Sequence, residues 1–334
     1  MNSRAVGPFQ VNPIGLGCMN ICPVYGPPPS EAEAQKLLLT ALDEGVDFFD
    51  TAALYGFGES ERIIGKTLSA HRSRFTLATK CGLHGVDANG DGKKVRVIDG
   101  RPETLRASCE ESLRRLNTDV IDLFYLHRWD KRVPIEDSVG ALSDLVRAGK
   151  VRTLGLSEVS ANSLRKAHAV HPITALQTEY SLWTRNPEIA VLDACRSLGA
   201  ALVAFSPLGR AFLADGLPHV NDLAAKDIRR AMPRFSPEHY AANLKLLPAF
   251  RDLARQAGCT PAQLAMAWVL AQGDHVIGLP GTTQLDHLQE DMAAAKTHVS
   301  HEVLAQAARL IHNRTVHGAR YNPATQLEVD TEEF

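Results

Sequence analysis

Eight short apolar runs, spaced by helix-length segments along 334 residues, constrain this chain more than any other feature. They cover 14–18, 46–50, 75–80, 120–127, 151–157, 173–177, 200–205 and 276–279, and their branched and aromatic residues mark them as strands. Between the first two, Ala34, Leu37, Leu38, Ala41 and Leu42 recur at helical spacing behind Ser30, an N-cap residue. Over 101–117, Leu105, Cys109, Leu113 and Leu116 form an apolar stripe with charges on the other side. The pattern predicts further helices over 134–148, 160–169, 187–198, 237–258, 284–295 and 300–311. Eight strand–helix repeats with no break in composition predict a (β/α)8 TIM barrel with an N-terminal β-hairpin and long loops on its C-terminal face. One domain is expected over 1–334, with a core at about 10–312 and a C-terminal tail at 313–334. A doubly wound sheet needs a glycine-rich phosphate turn after its first strand, and Gly15-Leu16-Gly17-Cys18-Met19-Asn20 lacks the third glycine.

Net charge excludes one class of partner. A formal charge of −2, with no basic stripe or block of like charge, gives no footprint for nucleic acid. No run reaches the roughly 18 apolar residues of a membrane span. The first ten residues, MNSRAVGPFQ, lack a signal-peptide core, so a cytoplasmic protein is expected. Its six cysteines, Cys18, Cys22, Cys81, Cys109, Cys195 and Cys259, are scattered without a CxxC and are expected to be reduced; Cys18 and Cys22 are spaced to pair or share a metal, but no second ligand pair follows and no metal site is predicted. Three stretches fall outside the repeat. Residues 82–100 read as a surface loop with a turn at Asn89-Gly90-Asp91-Gly92, and 206–237 as a long irregular loop. The tail either covers the barrel or is disordered.

Four polar residues stand at or just past strand ends: Asp50 and Tyr55 in VDFFDTAALYG, Lys80 closing FTLATK, and His127 closing VIDLFYLH. In a parallel barrel these ends open onto one face. A polar residue closing an apolar run is costly to bury unless it has a partner. Together the four form a set for protonating a carbonyl oxygen. A free tyrosine, with a pKa of about 10, is about a thousandfold short of balanced ionisation at pH 7. A nearby ammonium favours the phenolate and lowers that value, a carboxylate holds the ammonium, and an imidazole orients the carbonyl.

The segment Asp50-Thr51-Ala52-Ala53-Leu54-Tyr55-Gly56, with Gly58-Glu59-Ser60-Glu61 behind it, resembles the aldo-keto reductase signature. Leu77-Ala78-Thr79-Lys80 is similar to that family's lysine strand, and Ile121-Asp122-Leu123-Phe124-Tyr125-Leu126-His127 to its histidine strand. Further matches are Gly149-Lys150-Val151-Arg152 leading to Gly155-Leu156-Ser157, Gln177-Thr178-Glu179-Tyr180-Ser181-Leu182, Ser206-Pro207-Leu208-Gly209 and Pro280-Gly281-Thr282. The resemblance spans roughly residues 10 to 325, in order. It implies a TIM barrel and reversible NAD(P)H-dependent reduction of an aldehyde or ketone to an alcohol. Tyr55 would be the acid, Lys80 its tuner, Asp50 the holder and His127 the orienting group.

The resemblance also implies a cofactor site. Ser157 and Gln177 would bind the nicotinamide carboxamide, with Glu158 where relatives carry asparagine, and Phe205 would stack on the ring. Ser206, Leu208 and Arg210 would follow the pyrophosphate, and Gly17, Cys18 and Met19 the ribose, Cys18 more plausibly as a small buried filler. Gly281, Thr282, Thr283, His287, Glu290 and Asp291 would surround the adenosine. Relatives specific for NADPH carry Lys or Arg near position 283 and Arg at 287. Here Thr283 and His287 forgo those cations, and Asp291 replaces an asparagine and would add repulsion if it faced the phosphate. Losing one charge-assisted bond costs roughly 10- to 150-fold in affinity. NADPH is the expected cofactor, with NADH close behind. Tyr25, Phe57, Trp129 and Trp183, together with Phe212 and with the 216–237 loop and the C-terminal tail behind, are expected at a pocket for a small carbonyl or alcohol substrate, in a monomer or small homo-oligomer. Two competing readings are a nucleotide-sensing regulatory subunit on the same fold and a Schiff-base aldolase using Lys80. The latter requires a depressed lysine pKa, which Asp50 opposes.

Overall fold

Strands that are buried on both faces are rich in apolar residues, and the eight runs found in the sequence are such strands, with charged members such as Lys80 and Asp122 held in ion pairs. The structure, a computed structural model, describes residues 3–214 and 219–334. An antiparallel hairpin comes first, β1 (Arg4–Val6) and β2 (Phe9–Val11), turning at Gly7 with φ +57°. The parallel strands are β3 (Leu16–Gly17), β4 (Phe48–Asp50) and β5 (Thr76–Cys81) and, after a second hairpin of β6 (Leu83–Val86) and β7 (Val95–Ile98), β8 (Ile121–Leu126), β9 (Val151–Ser157), β10 (Ile173–Glu179), β11 (Ala201–Phe205) and β12 (Val276–Leu279). Each of the eight pairs with the next from β3 to β12. Closure is made by backbone bonds: Gly278 N–H donates to Pro13 O at 2.9 Å, Gly15 N–H to Gly278 O at 3.0 Å and Gly17 N–H to Pro280 O at 2.8 Å.

Around the barrel lie α1 (Glu31–Asp43), α2 (Glu59–Leu68), α3 (Pro102–Leu116), α4 (Ile135–Arg147), α5 (Ala161–Val170), α6 (Val191–Leu198), α7 (Pro237–Leu244), α8 (Leu247–Gln256), α9 (Pro261–Leu270), α10 (Leu285–Ala293), α11 (His301–Leu310) and α12 (Pro323–Gln326). No described helix is long and apolar enough to cross a membrane. Ser30 caps α1 as its position in the sequence implies, accepting from Glu33 N–H at 3.3 Å while Glu33 returns a bond to Ser30 N–H at 2.8 Å.

The period of two within each strand divides the apolar side chains between two cores. Phe48, Ala78, Leu123, Tyr125, Ala175 and Val203 cluster inside the barrel, whereas Phe49, Leu77, Phe124, Leu176 and Leu202 pack beneath the helices. Gly155 makes room for Tyr125, since a Cβ there would lie 2.4 Å from a ring carbon. Val6 and Val11 of the first hairpin join the inner cluster and stop one mouth of the barrel. The site must therefore sit at the other mouth, where the strands end.

Three sequence expectations change. The predicted helix over 237–258 is two helices, because Pro248 supplies no amide and clashes with a continuing turn. Residues 82–100 form the β6–β7 hairpin instead of a plain loop; the Asn89–Gly92 turn lies at its tip, with Asp87 accepting from Gly92 N–H at 3.0 Å. Helix α9 was not predicted, although Thr260 and Gln263 form a capping box around Pro261. The loop after β11 is irregular, with short 3₁₀ turns at Val220–Asp222, Ile228–Ala231 and Pro233–Phe235; 216–218 of the expected pocket loop lie outside the described residues.

The tail crosses the C-terminal mouth and is held there. Asp330 N–H donates to Glu158 O at 3.0 Å, and its carboxylate accepts from Ser163 Oγ at 2.6 Å and Ser160 Oγ at 3.0 Å. Glu332 accepts from Ala161 N–H at 2.7 Å, and Lys131 Nζ donates to the carbonyls of Leu327 and Val329 at 3.0 and 2.8 Å. Ion pairs Arg320–Glu158 and Arg96–Glu328 complete the attachment.

Candidate active site

Asp50 ends β4, Tyr55 begins the tight turn Tyr55–Gly58 just beyond it, Lys80 lies near the end of β5 and His127 follows β8. Lys80 is fully buried, and its ammonium is paired with Asp50 and donates to Thr51 O at 2.7 Å and Tyr55 Oη at 3.2 Å. Gln177 Nε2 donates to the second Asp50 oxygen at 2.8 Å. The His127 ring stands edge-on to Tyr55, centroids 5.8 Å apart at 85°. All four predicted residues therefore meet in one place.

Burial acts on every charge here. It lifts the Asp50 carboxyl despite Lys80, and it works against the Lys80 ammonium as well. Asp50 and Tyr55 outweigh that second effect and hold Lys80 above the ordinary lysine value, so it stays charged. Tyr55 is raised above an ordinary phenol, because desolvation exceeds the opposing pull of Lys80. The sequence implied a lowered value; in this setting the phenol stays protonated at neutral pH. Burial, then Arg128, Lys80 and Arg96, drive His127 well below the usual imidazole range, which keeps it neutral.

These side chains open into a cavity of about 1380 Å³ that runs along the barrel mouth to the start of α10. Gly17, Met19, Asp50, Ser157, Gln177, Phe205, Ser206, Leu208, Arg210, Gly281, Thr282, Thr283, His287, Glu290 and Asp291 line it, as do Tyr25 and Phe57. After β11 the backbone turns through positive φ at Ser206, Gly209, Arg210 and Ala211. Among the described residues the amides of Gly209, Phe212 and Leu213 bond within this turn; those of Leu208, Arg210 and Ala211 do not. Successive free amides in such a turn make a nest for an anion.

A profile of the aldo/keto reductase family matches residues 13–312. The chain belongs to the aldo/keto reductase family. It is 40% identical over 314 residues to a probable aldo-keto reductase of Glycine max, covering 94% of this chain and 89% of that protein. Identity is 39% over 332 residues with an aldo-keto reductase of Schizosaccharomyces pombe whose name carries NADP(+), covering 98% and 96%. Among solved structures, a glycerol dehydrogenase of Gluconobacter oxydans superposes with a TM-score of 0.82 at 28% identity, covering 96% and 98%. A Klebsiella pneumoniae aldo-keto reductase solved with NADPH gives 0.69 at 26%, covering 94% and 95%.

Within this aldo/keto reductase, Glu158, Trp129, Trp183 and Phe212 depart from the sequence expectation, and Cys18 takes its expected place as filler. Glu158 does not line the cavity: it accepts from Thr178 Oγ1 at 2.9 Å and Glu179 N–H at 3.0 Å and pairs with Arg320, so it anchors the tail. Cys18 is buried away from the cavity, its thiol held up by desolvation and directed at Leu16 O, which fits the filler role. Trp129 turns aside, its indole N–H donating to Val133 O at 2.9 Å. Trp183 is in the core, stacked on buried Phe212 at 4.2 Å with Phe235 at its edge, so neither Trp183 nor Phe212 forms the pocket wall. All six cysteines are free, and no metal-binding cluster occurs among the described residues.

Sequence reasoning missed Arg128, Arg96 and the tail residues Tyr321, Asn322 and Thr325, all of which line the cavity. Arg128 had a signal, since it directly follows His127. The tail was expected behind the pocket as a segment, but no local pattern singles out Tyr321, Asn322 and Thr325 as the residues that face the cavity.

Asp291 is buried at the α10 end, its carboxyl has no hydrogen-bond or ion-pair partner among the described residues, and it is pushed up to about 8 by desolvation and then by Glu290. It is therefore mostly protonated at pH 7, which weakens the repulsion inferred from its sequence position. The same shift acts on stability. The folded carboxyl keeps its proton over a range where the unfolded one loses it, so stability falls as pH rises from about 4 toward 8. Asp291→Asn is expected to stabilise the free protein by about 2–4 kcal/mol at pH 7 and hardly at all near pH 4. Thermal unfolding of both proteins across that range checks it; parallel curves would contradict the burial of an acid at this position.

Proposed function

We propose that this aldo/keto reductase reduces an aldehyde or ketone to the alcohol, reversibly, with Tyr55 as the general acid. The observation that supports this best is the contact of Tyr55 Oη with the buried Lys80 ammonium, 3.2 Å away, beside His127 at the open mouth. The raised phenol is loaded with its proton at neutral pH. As negative charge grows on the carbonyl oxygen, Tyr55 gives up that proton and Lys80 stabilises the phenolate left behind. Asp50, fixed by Lys80 and Gln177, keeps the ammonium in position. Neutral His127 donates or accepts a hydrogen bond at the substrate oxygen without adding charge. In alcohol oxidation the same phenolate takes the proton back.

A bound reduced nicotinamide nucleotide supplies the hydride. The chain suits such a group: Phe205 offers a partly buried ring at the end of β11 on the cavity wall, and the uncommitted amides of Leu208, Arg210 and Ala211 suit a pyrophosphate. Ser157 and Gln177 are at hand for the carboxamide, and Gly281, Thr282, Thr283 and His287 for the adenosine. The name of the S. pombe relative and the NADPH complex of the K. pneumoniae enzyme support NADPH as the nucleotide. With Thr283 and His287 in place of cations, the NADPH preference in kcat/KM is expected to stay below about 1,000-fold, given what one lost charge-assisted contact costs. Turnover of 4-nitrobenzaldehyde or phenanthrenequinone with each nucleotide tests both statements. No turnover with either nucleotide refutes the reductase reading, and a larger ratio refutes the weakened preference.

A further inference from the structure

The cations around the cavity can be matched with their counter-charges one by one. Arg210 is paired with Glu179 at 2.8 Å, Arg229 with Asp227 at 2.7 Å, Arg320 with Glu158 and Arg96 with Glu328. Glu179 also lies 3.8 Å from Arg320, so it is fully engaged. Arg234, which lines no part of the cavity, has no carboxylate either, but its guanidinium donates to Trp183 O, Thr184 Oγ1 and Gly318 O at 2.6, 2.7 and 3.2 Å.

Arg128 is different. One arm, Nη1, donates to His127 O at 2.7 Å and Ser157 Oγ at 3.3 Å. Its Nε is buried without an acceptor, and Nη2 has none among the described residues. No carboxylate of the described chain pairs with it. Desolvation lowers its pKa, which is the mark of a guanidinium short of counter-charge. It lies on the cavity wall beside His127 and Ser157, at the end where Tyr55 meets the substrate. The anion nest after β11 already has Arg210 beside it, and Arg210 is neutralised by Glu179. The charge missing at Arg128 is therefore not explained by a pyrophosphate at the nest.

We infer that Arg128 is a specificity-determining residue that receives a carboxylate carried by the carbonyl substrate, making this an enzyme for oxo acids. The inference rests on the reductase reading above. The carboxylate meets the free Nη2 arm, while Nη1 stays on His127 O and Ser157 Oγ. A planar guanidinium fixes the direction of approach as well as the charge. One charge-assisted contact corresponds to a preference of about 10- to 150-fold over a neutral analogue.

The test compares 2-, 3- and 4-carboxybenzaldehyde with their methyl esters, which varies the reach from carbonyl to carboxylate. At least one acid is expected to exceed its ester by about tenfold or more in kcat/KM, chiefly through KM. Arg128→Met should bring that ratio to about one, and Arg128→Lys should recover part of it, since charge remains without the fork. A second readout needs no turnover. Calorimetry of 4-(hydroxymethyl)benzoate and its amide, with NADPH present and with the protein alone, should show tighter binding of the acid in the wild type only. Reduced esters with no preference for any acid, or a preference unchanged in Arg128→Met, would overturn the inference and leave the reductase reading standing. Discrimination between acid and amide without turnover of any aldehyde would refute the reductase reading and with it the oxo-acid assignment, leaving only carboxylate binding at Arg128.

Discussion

Tyr55→Phe is expected to lower kcat for carbonyl reduction by about 10²- to 10⁴-fold, the range attributed to a positioned general acid. The change removes one oxygen and leaves the ring, so the edge-on contact with His127 and the cation over the ring at 4.9 Å persist. Nucleotide affinity should move by less than about threefold, because the loss belongs to the transition state and not to ground-state binding. Neutral His127 is a poor substitute acid: burial and three neighbouring cations hold it well below the range in which it carries a transferable extra proton at pH 7. Steady-state kinetics with a nucleotide titration on the same preparation decide the matter. Wild-type turnover by the variant would remove Tyr55 from the acid role.

Lys80→Met should cost more than activity. The lysine is fully buried against Asp50, which is 1% exposed, and removing one member of such a pair leaves a charge uncompensated. The expected loss of stability is about 3–5 kcal/mol, a fall in Tm on the order of 10 °C. Its pH dependence has a definite sign. Without Lys80, burial alone raises the Asp50 carboxyl, so the folded variant binds a proton that the unfolded chain releases near pH 4. The deficit should therefore be small at pH 4 and grow as pH rises. The double variant Asp50→Asn with Lys80→Met removes both charges and should regain much of the stability with none of the activity. Equal stability of Lys80→Met and wild type at pH 8 would mean that Asp50 is better solvated than its surroundings imply.

The barrel was legible because parallel strands sheathed by helices are rich in apolar residues, and eight such short runs alternate with helix-length segments along the chain. Polar residues closing such runs, Lys80 and His127 above all, were conspicuous for the same reason. Burial of aromatics was less legible. Trp183 and Trp129 follow strands as pocket residues do, but whether a ring lines a cavity or fills a core is decided by neighbours far along the chain, here Phe212 and Phe235 for Trp183. The charge network over the mouth was the least legible part. Glu158 meets Arg320 and Arg96 meets Glu328 across separations of 162 and 232 residues, and no local pattern records such meetings.

The strap formed by the tail has a consequence for how the protein could diversify. Tyr321, Asn322 and Thr325 face the cavity, yet the groups proposed to move protons are all carried by strand ends within the first 127 residues. Part of the surface that meets the substrate is thus written far along the chain from the chemistry. Substitutions in the last few turns can redraw the guest list while the reaction itself is left alone.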